Sequence, residues 1–240
     1  MKYYIFGKHA SLLALKNPRR DIIKTFCSKE IYEKYHPIIN KYPYQILDSN
    51  SITNFMANLL GTNSVHQGIA IKVNSISYNN INNLKDNVSR IAILDQITDI
   101  NNIGAILRSA AAFAIEAVIV SDNKSAKENG SMAKVASGGL EFVQLIRVVN
   151  LSSAIKYLKK QRFWIVGMDR TSDKTLNAVI SSNDKIAIIL GSESKGMRRL
   201  VKESCDFICK INMTSKIDSL NVSSAAAICF HELYNIQKYL

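Results

Sequence analysis

The sequence predicts an α/β protein whose larger, C-terminal part is built on a mostly parallel β-sheet. From Arg90 onward, short apolar runs alternate with segments of helical periodicity, which is the pattern of repeated βα units. Residues 74–87 are rich in Asn and Ser, a composition typical of a linker. We therefore predict an N-terminal domain at residues 1–73, a linker at 74–88 and a C-terminal domain at 89–240.

Each domain has its own series of predicted elements. The N-terminal domain mixes helices and strands, with an amphipathic helix first and Ser51 as the candidate N-cap of its last helix. Its predicted elements are helices at 9–16, 31–40 and 51–60 and strands at 22–27, 44–47 and 68–73. In the C-terminal domain, strands are predicted at 91–94, 117–120, 143–149, 163–168, 186–190 and 207–211, and helices at 102–113, 132–136, 152–160, 196–203 and 222–239.

The charge balance of the chain favours a polyanionic partner. The 240 residues include 31 Lys and Arg against 19 Asp and Glu, which gives a formal charge of +12 and a pI of 9.5. Nucleic acid is the partner that such a surplus favours, although a basic surplus also serves solubility alone.

The apolar segments and the cysteines restrict where the protein is located and whether it binds a metal. No window approaches the ~18 apolar residues of a membrane span, and the apolar N-terminal stretch is too short for a signal peptide, so we predict a cytoplasmic protein. The four cysteines lack CxxC spacing, which favours reduced core thiols over a metal site.

Three polar segments each follow a predicted strand. They are DINNIGAILR at 99–108, LGSESKGMRR at 190–199 and SLNVS at 219–223. Because ligands of open α/β sheets bind at the carboxyl ends of strands, these segments are expected to form one pocket. The spacing of a P-loop is absent, and no GxGxxG follows the first strand, which disfavours a nicotinamide-dependent oxidoreductase.

Taken singly, the polar residues of these segments have plainer interpretations. Asn102 and either Ser219 or Asn221 are suitable helix N-caps. Arg108 could be a solvated helix residue, and Glu193 could simply favour a helix N-terminus.

Taken together, the three strings resemble the SpoU/TrmH family of RNA ribose 2′-O-methyltransferases in the SPOUT superfamily. The N-x-G-x-x-x-R element of that family falls on residues 102–108, G-S-E-x-x-G-[ML] on 191–197 and S-L-N-V-S on 219–223. FGKHA at 6–10 and VHQGIA at 65–70 resemble the small L30e-like substrate-binding domain of the branch that methylates a guanosine of large-subunit (23S) rRNA. The chain departs from the family where it has Ile100, Ser194 and Ala227 in place of Pro, Gly and Gly.

The resemblance implies a fold, a cofactor and a set of site residues. The C-terminal domain would be a trefoil-knotted SPOUT domain with a mostly parallel sheet, would bind S-adenosylmethionine, and would form a homodimer through the helix that begins at Val222. No metal is implied. The implied cofactor-binding residues are Gly167, Leu190, Gly191, Ile211, Met213, Ser219 and Leu220. The implied catalytic residues are Asn102, Arg108, Glu193, Ser219 and Asn221, with Arg108 as base or activator. The L30e-like domain would bind structured rRNA through its densest basic group, Lys8, Arg19, Arg20 and Lys24, unless these residues form only a solvated face.

Two alternatives to large-subunit rRNA methylation are kept. One is a tRNA ribose 2′-O-methyltransferase, against which the N-terminal domain argues, because tRNA-directed relatives often carry short helical extensions instead. The other is a non-catalytic RNA- or ribosome-binding protein on the same fold, against which the complete set of polar site residues argues.

Overall fold

The computed structural model describes residues 1–60, 66–78, 80–85, 87–122, 125–181, 184–214 and 216–238. Val65 of the VHQGIA string and Tyr239 of the predicted terminal helix lie outside these residues. The chain forms two compact units: an N-terminal unit of Met1–Ile76 with Glu128–Glu141, and a C-terminal unit of Ser77–Lys127 with Phe142–Leu240. Within the described residues, no helix is both long and apolar enough to cross a membrane.

The elements alternate between strands and helices along the chain. In order they are β1 (Lys2–Phe6), α1 (Lys8–Lys16), β2 (Ile22–Ser28), α2 (Lys29–Ile39), β3 (Tyr44–Leu47), α3 (Ser49–Leu60), β4 (Ile69–Asn74), β5 (Arg90–Asp95), α4 (Ile100–Ala112), β6 (Ala117–Ser121), α5 (Gly130–Ala136), α6 (Gly139–Phe142), β7 (Gln144–Val148), α7 (Leu151–Lys160), β8 (Phe163–Met168), β9 (Lys185–Gly191), α8 (Arg199–Glu203), β10 (Phe207–Cys209) and α9 (Val222–Lys238).

The N-terminal unit has a four-stranded sheet in the order β1-β4-β2-β3. β2 and β3 are parallel, whereas β1–β4 and β2–β4 are antiparallel. One face is apolar and buried, with Ile5, Ile69, Ile71 and Cys27 all inaccessible to solvent, and α1 and α2 pack against strands of this sheet. This burial of alternate residues is what a strand with one core-facing side requires.

The C-terminal unit confirms the prediction of an α/β fold with a parallel sheet. Its six strands run in the order β10-β8-β9-β5-β6-β7, and every pair is parallel. The central strands β5 and β9 are apolar and buried between their terminal residues, because both faces of a parallel sheet are covered. The carboxyl ends of β8, β9 and β5 therefore meet at one edge, where Asp95 pairs with Gly191.

The predicted domain division needs one correction. Residues 128–141 were assigned to the C-terminal domain, yet they belong to the N-terminal unit. Within that unit Gly130 lies against the main chain of Tyr4 and the ring of Phe6, and Gly138 lies against Leu13. These close approaches depend on residues far apart in sequence, so no local pattern could reveal them.

Helix starts also differ from the predictions. α4 begins at Ile100 with Asp99 as its N-cap, so Asn102 lies inside the first turn and is not the cap. α3 begins before Ser51, and the carboxylate of Asp48 accepts hydrogen bonds from the amides of residues 50 and 51. Strand β1 was not predicted at all; it becomes a strand by pairing with β4 along its whole length.

Candidate active site

A cleft of about 440 Å³ lies at the carboxyl ends of β8 and β9 in the C-terminal unit. Its wall is built from the segments that follow these strands, 168–171 and 190–196, and from residues between 211 and 225. Six of the seven predicted cofactor-binding residues line it: Leu190, Gly191, Ile211, Met213, Ser219 and Leu220. A cleft of this size falls within the roughly 300–1,000 Å³ of small-molecule sites.

The seventh predicted cofactor residue, Gly167, does not line this cleft. It is buried in β8, where a Cβ atom would lie 2.8 Å from the sulfur of Cys205 and 2.8 Å from Cε of Met197. The absence of a side chain at position 167 is therefore explained by packing against neighbouring side chains.

Gly191 has a backbone neighbour instead. A Cβ atom there would overlap the carbonyl carbon of Gly196 and the amide nitrogen of Met197. The turn is closed by hydrogen bonds between Ser192 and Gly196 in both directions, at 2.8 and 3.2 Å. The loop 192–196 therefore folds back directly over the end of β9 and forms one wall of the cleft.

Asn102, Glu193 and Asn221 form a hydrogen-bonded cluster beside the cleft. The side-chain amide of Asn221 donates to Oδ1 of Asn102 at 3.1 Å and to Oε1 of Glu193 at 2.8 Å. The same Glu193 oxygen accepts a hydrogen bond from the backbone amide of Val222 at 3.1 Å. The three predicted polar segments are therefore brought together by one side chain from each.

Asn221 also serves as the cap of α9. Its Oδ1 accepts hydrogen bonds from the amide of Ser223 at 2.9 Å and from the hydroxyl of Ser223 at 2.6 Å. The capping and site interpretations of this residue are thus compatible, because capping uses its oxygen while its amide nitrogen is directed to the cluster.

An ion pair between buried Asp95 and partly exposed Arg198 holds the loop after β9. Asp95, at the end of β5, is inaccessible to solvent. Its carboxylate accepts from the backbone amide of Arg198 and from Nε of the same residue, both at 2.8 Å. The pair joins the end of β5 to the second polar segment, and no local pattern in the sequence links residues 95 and 198.

Residues after β8 were also missed, although the same strand-end argument applies to them. Asp169, Arg170 and Thr171 line the cleft. Partial burial disfavours the charged form of Asp169, but hydrogen bonds from Lys202 and Thr171 outweigh this and hold the pKa of its carboxyl below the usual value. Asp169 is therefore ionised near neutral pH and gives this end of the cleft a negative charge. The signal in the sequence was the polar run Asp-Arg-Thr immediately after an apolar strand.

Arg108 is exposed on α4, six residues after Asn102. It makes no hydrogen bond or ion pair with any residue that the structure describes, so its guanidinium is available to an external partner. Ser219 lines the cleft and is exposed.

The four basic residues predicted to bind RNA do not form one group. Arg20 is 3% exposed and is paired with Glu128 at 2.8 Å and with Glu141 at 2.5 Å, so its assignment to RNA binding was wrong. The two carboxylates account for its burial, since an arginine is rarely buried unless paired. Arg19 is exposed, whereas Lys8 and Lys24 are half-buried.

The cysteines are free thiols. Cys27 and Cys209 are buried, and Cys205 is half-buried. Burial raises the pKa of each of these three thiols to about 11, which keeps them protonated and unreactive near neutral pH. Among the described residues, no group of three or more His, Cys, Asp or Glu side chains is arranged to hold a metal ion.

Residues 89–231 match the model of the SpoU rRNA Methylase family. The chain belongs to this family. It is 35% identical to the 23S rRNA (guanosine-2′-O-)-methyltransferase RlmB of Vibrio vulnificus over 95% of either chain. It is also 35% identical to the protein of the same name from Escherichia coli K12, over 97% of this chain and 98% of the relative.

Solved SpoU structures share the fold. The SpoU methyltransferase AviRb of Streptomyces viridochromogenes, crystallised with AdoMet, matches with a TM-score of 0.81 and 16% identity over 98% of this chain and 90% of AviRb. The TrmH/SpoU tRNA modifying enzyme of A. aeolicus matches with a TM-score of 0.56 and 22% identity over 63% of this chain and 76% of that enzyme.

Proposed function

We propose that this SpoU family protein transfers a methyl group from S-adenosylmethionine to a ribose 2′-hydroxyl of RNA, at a guanosine of large-subunit rRNA. The observation that carries the proposal is the Asn102–Glu193–Asn221 cluster beside a cleft at the strand ends. The near full-length match to relatives named as 23S rRNA guanosine-2′-O-methyltransferases supports the substrate.

The cleft fits the chemistry of S-adenosylmethionine. Leu190, Ile211 and Leu220 offer apolar walls. Asp169 and Asp218 add carboxylates, which are paired with Lys202 and Arg170 respectively. Gly191 keeps the end of β9 free of a side chain. When bound, the cofactor supplies the methyl group as an electrophile.

The protein's own task is to position the hydroxyl and to stabilise the charge that develops as its proton leaves. The amide nitrogen of Asn221 is held by two acceptors and Glu193 is held at the start of α9, so the cluster is ordered before RNA binds. Asn102→Ala should lower the methylation rate more than it lowers cofactor affinity. A larger loss of cofactor affinity would assign Asn102 to the cofactor pocket.

Arg108 is proposed to act as a cation. Removing a proton from a guanidinium near neutral pH would require roughly 7–9 kcal/mol, because arginine stays protonated far above neutral pH. A charged Arg108 can instead bind the phosphate of the target nucleotide and stabilise the developing alkoxide. Arg108→Lys should therefore retain a substantial part of the rate that Arg108→Ala loses. A pH–rate profile showing one deprotonation that only the arginine enzyme displays would contradict this role.

Several finer features are part of the same proposal. We infer a homodimer in which α9 contributes the interface, since α9 packs on α4 and exposes Ile228 and Tyr234. We also infer the trefoil knot of the SPOUT fold in the C-terminal unit, L30e-like RNA binding by the N-terminal unit, and a cytoplasmic location.

The experiment that tests the function is methyl transfer from labelled S-adenosylmethionine to unmodified large-subunit rRNA and, separately, to bulk unmodified tRNA. Alkali-resistant dinucleotides in the rRNA alone would support the proposal, because 2′-O-methylation blocks alkaline cleavage. Label in tRNA alone would identify a tRNA enzyme. Failure with both, by protein that still binds the cofactor, would favour a non-catalytic binder or a precursor particle as substrate.

A further inference from the structure

The four-stranded sheet of the N-terminal unit has a second face that helices cover only in part. α3 covers one end of it, where Ile52 and Met56 pack with Phe6 and Ala70. Beyond this cluster, the strand register places Tyr4 of β1, Lys72 of β4 and Lys24 of β2 side by side in one cross-strand row. We call the residues Lys2, Tyr4, Lys24, Phe26 and Lys72 the Tyr4 face.

The rings of the Tyr4 face are grouped but only half-buried. Phe26 stacks on Phe55 of α3 with ring centroids 4.5 Å apart, and Tyr4 meets the same Phe55 edge-on at 5.8 Å. Tyr4 and Phe26 lie 6.2 Å apart. Neither ring is closed off from solvent, although a sheet face with only a core role would normally be covered.

Lysines accompany these rings and are not neutralised. Lys24 Nζ lies 5.1 Å from the centroid of Phe26, and Lys72 Nζ lies 5.7 Å from that of Tyr4. Within the described residues, none of Lys2, Lys24 and Lys72 is paired with a carboxylate. Asp21 accepts a hydrogen bond from Asn74, the residue that pairs with Lys2, and not from any of the three lysines.

We propose that the Tyr4 face binds a single-stranded segment of the RNA substrate, with bases stacked on Tyr4 and Phe26 and phosphates bound by Lys24 and Lys72. Half-exposed rings on a sheet stack unpaired bases regardless of their sequence, whereas duplex RNA hides its bases and offers only phosphates and sugars. The positive charge, with residues 1–75 carrying 10 basic against 4 acidic groups, complements the RNA backbone. This inference rests on the proposed function for the identity of the RNA, while the face itself is tested by binding.

The test uses the full-length protein and a short fluorescein-labelled single-stranded RNA, compared with the same sequence as a duplex. Tyr4→Leu removes the ring but keeps an apolar side chain, and should weaken single-strand binding about tenfold. Lys72→Gln should reduce the slope of log affinity against log salt by about one. Matched controls are Tyr44→Leu and Lys41→Gln, which alter an exposed ring and an exposed lysine of the same unit outside the Tyr4 face. Thermal unfolding of each variant identifies those that fail to fold, and Phe26→Tyr, which keeps a ring, should bind like the wild type.

Methyl transfer separates this inference from the proposed function. For Tyr4→Leu we expect the KM for unmodified rRNA to rise about tenfold while kcat and cofactor affinity stay unchanged. Equal binding of duplex and single strand, or equal losses in Tyr4→Leu and Tyr44→Leu, would overturn the inference. Intact RNA binding with loss of activity only on ribosomal particles would mean that the face contacts a protein. Single-strand binding that depends on Tyr4, in protein without methyl transfer to any RNA, would support the face and contradict the function.

Discussion

At the scale of single residues, Gly191 and Gly196 allow a matched comparison. Both line the cleft, Gly191 at the end of β9 and Gly196 in the loop that follows, but a Cβ atom at 191 would overlap backbone atoms, whereas one at 196 meets nothing within 4 Å. Backbone cannot move aside as a flexible side chain can, so Gly191→Ala should displace the loop and weaken S-adenosylmethionine binding at least tenfold. Gly196→Ala should cost only about 1 kcal/mol of stability for its φ of +64°. Calorimetric titration of both variants with the cofactor checks this, and equal affinities would contradict the loop geometry.

Glu193 holds the polar cluster together through a single carboxylate oxygen. One of its oxygens accepts from both Asn221 and the amide of Val222. Glu193→Gln retains an acceptor for both bonds, so it should keep most of the methylation rate. Glu193→Ala leaves Asn221 free to turn and should lower kcat about tenfold or more, with a stability loss of about 1 kcal/mol. Single-turnover rates and thermal unfolding measure the two effects separately. An equal loss of rate in Glu193→Gln and Glu193→Ala would show that the charge of Glu193, rather than its hydrogen-bond geometry, matters.

The residues of the site could be predicted from the sequence where they follow a strand or belong to one motif. Six cofactor candidates and the trio Asn102, Glu193 and Asn221 are brought to one edge of the sheet. Their roles in catalysis stay predictions. Arg20 failed as an RNA contact because a count of local positive charge carries no information on burial, and its partners lie more than a hundred residues away.

At the scale of elements, the end of β5 and the loop after β9 depend on the Asp95–Arg198 pair. Asp95 is fully buried, whereas the side chain of Arg198 is 40% exposed. Asp95→Asn keeps the volume but removes the charge, and should destabilise the protein by about 1–3 kcal/mol. Because the loop after β9 lines the cleft, Asp95→Asn should also lower the affinity for S-adenosylmethionine. Arg199→Gln, which breaks an exposed pair with Glu203, is the control and should change neither quantity measurably.

Strands with a continuous apolar run were predicted well from the sequence. A strand that forms only by pairing with a distant strand was missed. The central parallel strands β5 and β9 have uninterrupted apolar runs between their terminal residues, so these runs stand out in the sequence. β1 carries a burial pattern that only its pairing with β4 explains. The start of α4 moved by two residues because Asp99 rather than Asn102 caps it, and both are good N-caps.

At the scale of the whole molecule, the N-terminal unit is completed by residues 128–141. A buried hydrogen-bond network joins these residues to the rest of the unit. In it, Arg20 donates to both Glu128 and Glu141. Tyr3 and Ser75 donate to Glu128 at 2.5 and 2.7 Å. Removing residues 1–75 would leave both carboxylates without Arg20. A deletion variant should therefore lose stability as well as RNA binding, contrary to the expectation for an independent N-terminal domain.

The same network predicts an unusual dependence of stability on pH. Burial opposes the charge of Glu128, but Arg20 and the hydrogen bonds from Arg20, Tyr3 and Ser75 prevail and lower its pKa below the ordinary 4.5. In the wild type this carboxylate therefore stabilises the fold above pH 4.5, and that contribution is lost as the pH falls through the lower folded-state pKa. In Arg20→Met burial is the largest remaining influence and only the hydrogen bonds from Tyr3 and Ser75 oppose it, so the pKa of Glu128 should rise above its unfolded value.

Arg20→Met should thus lose about 3–5 kcal/mol at neutral pH, because two buried carboxylates lose their partner. Stability of the variant should then increase as the pH is lowered towards the raised pKa, since protonation removes the buried charge, while the wild type gains nothing there. Urea unfolding at neutral pH and near pH 5 measures the free energy of unfolding of Arg20→Met and of the wild type. The difference between the two proteins should be smaller at the lower pH. Arg19→Met, which removes a hydrogen bond to the main-chain carbonyl of Glu141 but no partner of either carboxylate, should show the same dependence of stability on pH as the wild type. Parallel profiles for Arg20→Met and the wild type would mean that solvent reaches these carboxylates, and the N-terminal unit would then not depend on residues 128–141 for its stability.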